Sequence, residues 1–131
     1  MAQHEIEVIL LRQLASYLAM PIFIVDPEGT LVFYNEPAEL ILGKRFEETG
    51  EMSAEEWSTA FQPTGKDGSP LKPEEVPLRV AFEDRRPTHG SLWICGFDGV
   101  RRYIEATAFP LVGQSGRFLG AVALFWSKAP P

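Results

Sequence analysis

With 131 residues the chain has room for one domain and not for two ordinary ones. Hydrophobic residues make up 45% and charged residues 23%, the balance of a globular chain rather than a disordered one. Twelve basic residues against eighteen acidic ones leave a net charge of −6, the wrong sign for gripping a nucleic-acid backbone.

The chain opens MAQHEIEVILL, with acidic residues where an export leader needs positive charge, so a cytoplasmic protein is expected. Residues 3–19 lack proline and glycine and read as a helix that Pro21 ends. Ile6, Leu10, Leu14, Tyr17 and Leu18 form one apolar stripe; Val8, Leu11, Ala15 and Ala19 form a second. So wide an apolar surface must cover a sheet, meet a partner helix, or do both.

Residues 21–26 and 30–34 are two short runs rich in β-branched and aromatic side chains. Asp26-Pro-Glu-Gly29 between them has the chemistry of a tight reversal, so the pair reads as a hairpin. Asn35 is placed to cap a helix over 36–42, with Pro37 in its first turn and Gly43 as its stop. Ser53-Ala-Glu-Glu56 is a capping box, predicting a short helix over 54–61 that carries Trp57 inward. Residues 64–70 form a loop, and 74–84 are again helical, with Pro77 in the first turn, where a missing amide costs least.

The last third reads as strand. Residues 91–95 and 100–109 flank the turn Phe97-Asp-Gly99, and Gly113-Gln-Ser-Gly116 leads into a third strand over 117–127. The longest apolar stretch, 118–126, is less than half of the ~20 residues a membrane span requires. Helix, hairpin, short helices and a three-stranded meander make an α+β fold: an antiparallel five-stranded sheet with helices on one face.

This order, with these local words, resembles the PAS sensory domain. The matching pieces are Ile24-Val-Asp-Pro-Glu-Gly29, Tyr34-Asn-Glu-Pro-Ala38, Leu42-Gly43 and Lys66-Asp-Gly-Ser-Pro-Leu71. Glu75-Val-Pro-Leu78, Phe97-Asp-Gly99, Ala108-Phe-Pro-Leu111 and Gly116-Arg-Phe-Leu-Gly-Ala-Val122 continue the match. The resemblance divides the chain into a flanking helix (1–20), the PAS domain (21–128) and a tail or linker start (129–131). One departure stands out. Where many members end on Asp-x-Thr, this chain reads Leu124-Phe-Trp-Ser-Lys128, which puts output through that triplet in doubt.

The resemblance implies a small molecule held between sheet and helices, or a filled core. Haem-binding members place a histidine in the long helix, and 74–84 has none; His4 and His89 lie outside it. Flavin-binding photosensory members carry a reactive cysteine on a helix, whereas the single thiol, Cys95, falls in a strand. Their amide positions correspond to Ile94, Ile104 and Val122, which would leave a flavin's polar edge unpaired at ~1–3 kcal/mol per buried group. Haem and flavin are therefore disfavoured.

In the alignment Ile104, Ala106 and Ala108 face the helices. The alanines, with Gly120, leave volume for Phe23, Trp57, Phe82 or a ligand to fill, and Leu92, Ile94 and Val122 complete the expected wall. A fatty acid suits such walls, as does a core with no ligand at all.

Catalysis has no support. The acidic pairs 47–48, 55–56 and 74–75 do not converge on a helix, and no nucleophile–base order, phosphate loop or metal-ligand cluster occurs. One cysteine excludes an internal disulfide and a multi-cysteine zinc site. Arg85-Arg86 after a helix end reads as a solvated cap, with anion binding the alternative. The competing fold is a cone-shaped isomerase-like α+β domain, which would bury Asp84 or His89 in a deep pocket.

A sensor or interaction module is expected, acting on a fused or partner kinase, cyclase or transcription regulator. In related domains the flanking helix packs against its copy, so a homodimer through Ile6, Leu10, Leu11, Leu14 and Tyr17 is expected.

Overall fold

The computed structural model describes residues 6–131. Five antiparallel strands form one sheet in the order β2-β1-β5-β4-β3. They are β1 (Ile22–Val25), β2 (Leu31–Tyr34), β3 (Thr88–Cys95), β4 (Arg101–Val112) and β5 (Phe118–Ser127). The helices are α1 (Ile6–Ala15), α2 (Glu36–Leu42), α3 (Phe46–Thr49), α4 (Ala54–Ala60) and α5 (Pro77–Asp84). The 21–34 hairpin forms as expected and lies beside the last strand, Ile22 opposite Leu124 and Val25 opposite Ala121.

Local chemistry accounts for most boundaries. Asn35 caps α2 by accepting from the Ala38 amide at 3.3 Å, and Gly43 closes it with a left-handed φ of +80°. Ser53 and Glu56 exchange the two bonds of the capping box at the start of α4. The expected helix over 74–84 divides at Val76 into a 3-10 turn, Pro73–Glu75, and α5, with Pro77 at its first position. The single turn α3 was not anticipated; it buries Phe46 against Phe33 and Tyr34.

β4 runs three residues past its expected end, through Pro110. Its β3 neighbour stops pairing at Ala108, so the absent proline amide faces an unpaired flank. Loops meet both sheet edges. Leu31 exchanges both backbone bonds with Met52, and Trp93 does the same with Thr64. Cys95 and Phe97 donate to the carbonyls of Phe61 and Leu42.

Helix α1 covers the sheet face opposite the other helices. Val8 and Ala15 are buried against Ile22, Ile24, Val32, Leu119 and Val122, with Leu11 half-buried beside them. Burying a valine of this kind contributes about 1.5 kcal/mol. The other stripe, Ile6, Leu10 and Leu14, stays exposed.

The helix is shorter than expected at its C-terminal end, and its start, residues 3–5, lies outside the described residues, as does His4. Ser16 Oγ takes the Arg12 carbonyl and Asn35 Nδ2 takes the Ala15 carbonyl, which ends the helix at Ala15. Tyr17, Leu18 and Ala19 therefore leave both stripes, and Tyr17 projects into solvent.

Candidate functional site

The inner sheet face, α4 and α5 line an apolar cavity of about 90 Å³ that is open to the outside. Its floor is Leu92 and Ile94 of β3, Ile104 and Ala106 of β4, and Ala123 and Phe125 of β5. The small side chains of Ala106 and Ala123 on neighbouring strands create the space. Trp57 forms one wall and is fixed there, because its indole N–H donates to the Gly29 carbonyl at 2.8 Å. Gly29 supplies that carbonyl from a turn that needs its φ of +86°. Phe23 meets Trp57 and Phe61 edge-on, at ring separations of 5.8 and 6.2 Å. Val76, Pro77 and Leu78 form the α5 side.

Six of the ten residues expected in the pocket line it: Phe23, Trp57, Leu92, Ile94, Ile104 and Ala106. The other four lie elsewhere. Ala108 is buried in the same core but does not reach the cavity. Phe82 packs on Phe118, 5.7 Å away, and against Gly29 at the hairpin turn. Val122 lies on the opposite face, beneath α1.

Gly120 explains that last error. A register shift in the β4–β5 ladder falls beside it, and it has a φ of +126°. A Cβ there would stand 2.1 Å from the Val25 carbonyl oxygen. This bulge shifts the alternation, so Ala121, Ala123 and Phe125 face inward instead of Gly120 and Val122. Nine lining residues were missed, among them Ser58, Phe61, Leu78, Ala123 and Phe125. Reading β5 with one residue inserted at Gly120 would have found the last two.

Besides the Trp57 indole N–H, which is bonded to Gly29, the cavity wall carries one side-chain polar group, Ser58, whose hydroxyl donates to the Ala54 carbonyl. Ser58, Pro63 and Val76 also line an adjoining outer basin of about 640 Å³. Arg79 lines the basin, and its Nη1 donates to Ser58 Oγ at 2.9 Å. Its Nε donates to Glu83 Oε1 at 3.0 Å, and its Nη2 meets the same oxygen. Deeper in the core, Tyr34 donates its hydroxyl to the Lys44 carbonyl at 2.8 Å, and burial pushes its pKa up.

The remaining chemical candidates lie outside this site. His89 is exposed in β3 and pairs with Glu105 at 2.9 Å, which holds the Glu105 carboxyl below its usual range. Cys95 ends β3, half-buried. Arg85 stacks on Phe118 at 4.1 Å, and Arg86 reaches Asp84 at 3.6 Å. Among the described residues no three histidine, cysteine or acidic side chains group as a metal site. Likewise, no described helix is long and apolar enough to cross a membrane.

Haem and flavin do not fit the site as built. The walls offer a porphyrin no histidine and an isoalloxazine no amide side chain.

The PAS domain family model matches residues 19–126. The chain belongs to the PAS domain family. Members are sensory and regulatory modules of signal transduction, and generally not enzymes. No curated protein matches the chain in sequence. The PAS domain of Bordetella pertussis BvgS is similar in structure, with a TM-score of 0.65 at 17% identity over 95% of this chain and 88% of that one. The light-state dimer of the fungal blue-light photoreceptor Vivid is similar at 0.64, with 13% identity over 96% of each chain. The phage VqmA-DPO complex is similar at 0.63, with 15% identity over 93% of this chain and 53% of that one.

At these identities the likeness speaks for the fold. The hairpin beside β5 separates this PAS domain from the cone-shaped alternative, and Asp84 and His89 lie at the surface.

Proposed function

We propose that this PAS domain is a non-catalytic sensor that takes a small apolar molecule into its inner cavity. The observation that carries the reading is the cavity itself, walled by Trp57, Phe23 and the sheet, with only Ser58 polar. Its volume favours a compact molecule or a short chain over a long fatty acid. One structural neighbour is a VqmA-DPO complex.

The signal leaves by a homodimer built on α1, to a fused or partner kinase, cyclase or transcription regulator. Ile6, Leu10 and Leu14 support the dimer because they remain exposed on a helix whose other face is occupied. Leu11 belongs to the occupied side and drops out of its centre. The Vivid neighbour is recorded as a dimer. Lys128, 3.7 Å from Glu105, ends the stretch where the triplet is missing.

Native mass spectrometry after gentle purification tests the ligand. A retained small apolar mass is the expected result. A haem or flavin absorbance band would overturn it.

A further inference from the structure

We infer that the natural ligand is an amphipathic carboxylate, with a short apolar stem in the inner cavity and its head on Arg79. This rests on the sensor reading above and adds the chemistry and direction of the ligand. The cavity and the outer basin adjoin at Ser58, Pro63 and Val76, so a molecule reaching from one into the other would lie against these three residues. Arg79 Nη1 is bonded to Ser58 Oγ at 2.9 Å, which places a guanidinium edge beside that boundary. Its side chain is 21% exposed, shielded enough for a charge-assisted bond to hold a head group.

Guanidinium has five N–H donors, and the contacts to Ser58 and Glu83 use three of them. Two remain for an incoming oxygen pair. Glu83 orients the fork from the outer side without lining the basin. Glu55 lines the basin too, but it is exposed and its charge is screened by solvent. Thr59 and Gln62 complete a polar rim around an apolar well. A wholly apolar ligand would leave that rim unused.

Octanoate, octanol and octylamine share one stem and differ in the head, so titrating each against the fluorescence of a variant that keeps Trp57 and carries Trp93→Phe and Trp126→Phe isolates the Arg79 contribution. Octanoate is expected to bind roughly three- to tenfold more tightly than octanol, the range of a partly shielded charged contact. Arg79→Gln is expected to bring octanoate to the octanol affinity, with octanol binding unchanged as the check that the cavity is intact. Glu83→Gln leaves Arg79 in place, removes its internal competitor and is expected to tighten octanoate.

Equal binding of octanoate and octanol, or tighter binding of octylamine, overturns the head assignment while leaving the sensor reading standing. Failure of all three to bind overturns that reading and this one together.

Discussion

Asn35 joins four parts of the chain through one amide that is 1% exposed. Its Oδ1 accepts from the amides of Ala38 and Ile22, while its Nδ2 donates to the carbonyls of Ala15 and Met20 at 3.0 and 2.9 Å. Asn35→Ala is expected to cost about 2–4 kcal/mol, because it strands buried backbone partners as well as removing a cap. A lowered urea midpoint with unchanged slope would show it. The capping half was legible, since Ala38 is three residues away; the donor half was not, because Ala15 and Met20 come near only in the folded chain. Asp98 acts through charge instead. The Arg102 guanidinium, helped by the Val100 amide, holds its carboxyl below the usual range. A depressed folded pKa stabilises above the ordinary aspartate value and loses that effect as pH falls through the lowered value. Asp98→Asn is therefore expected to melt earlier at pH 7, with the gap to the parent protein closing only below about pH 4. A gap independent of pH would assign the effect to hydrogen bonding alone.

At the scale of elements, β5 shows how one backbone position governs a whole strand. The bulge at Gly120 decides that Val122 supports α1 and Ala123 borders the cavity. Gly120→Ala meets the Val25 carbonyl as well as an unfavourable φ, and is expected to cost at least about 2 kcal/mol. Thermal melting checks this, and an unchanged melting temperature would show that the strand can flatten without loss. Sequence patterns located α2 and α4 well because their caps are local: Asn35 with Gly43, Ser53 with Glu56. They placed the β5 faces wrongly because alternation assumes an uninterrupted ladder. Helix α1 keeps its two stripes only as far as Ala15, and its end depends on Asn35 reaching across from the end of β2, which periodicity cannot contain. Arg12 further ties α1 to the sheet, lying 4.9 Å over the Phe33 ring.

For the whole molecule, the dimer is the claim most open to measurement. Leu10→Lys with Leu14→Lys changes only exposed positions, so the variant is expected to stay folded and to sediment as a monomer where the parent protein sediments as a dimer. A parent protein already monomeric at micromolar concentration would end the proposal. The fold as a whole was legible because strand order, turns and caps each act over short distances. The cavity was legible on β3 and β4, where register is unbroken, and not on the α5 side, where tertiary packing selects Leu78 over Phe82. The loop contacts at Leu31 and Trp93 bear on assembly in a different way. A strand arriving from another molecule finds the outward amide and carbonyl at both of those positions already taken. Growth into fibrils by stacking sheet upon sheet edge is thereby obstructed at either end. Copies of this domain can be crowded together, or strung along one polypeptide, with both strand edges guarded at Leu31 and Trp93.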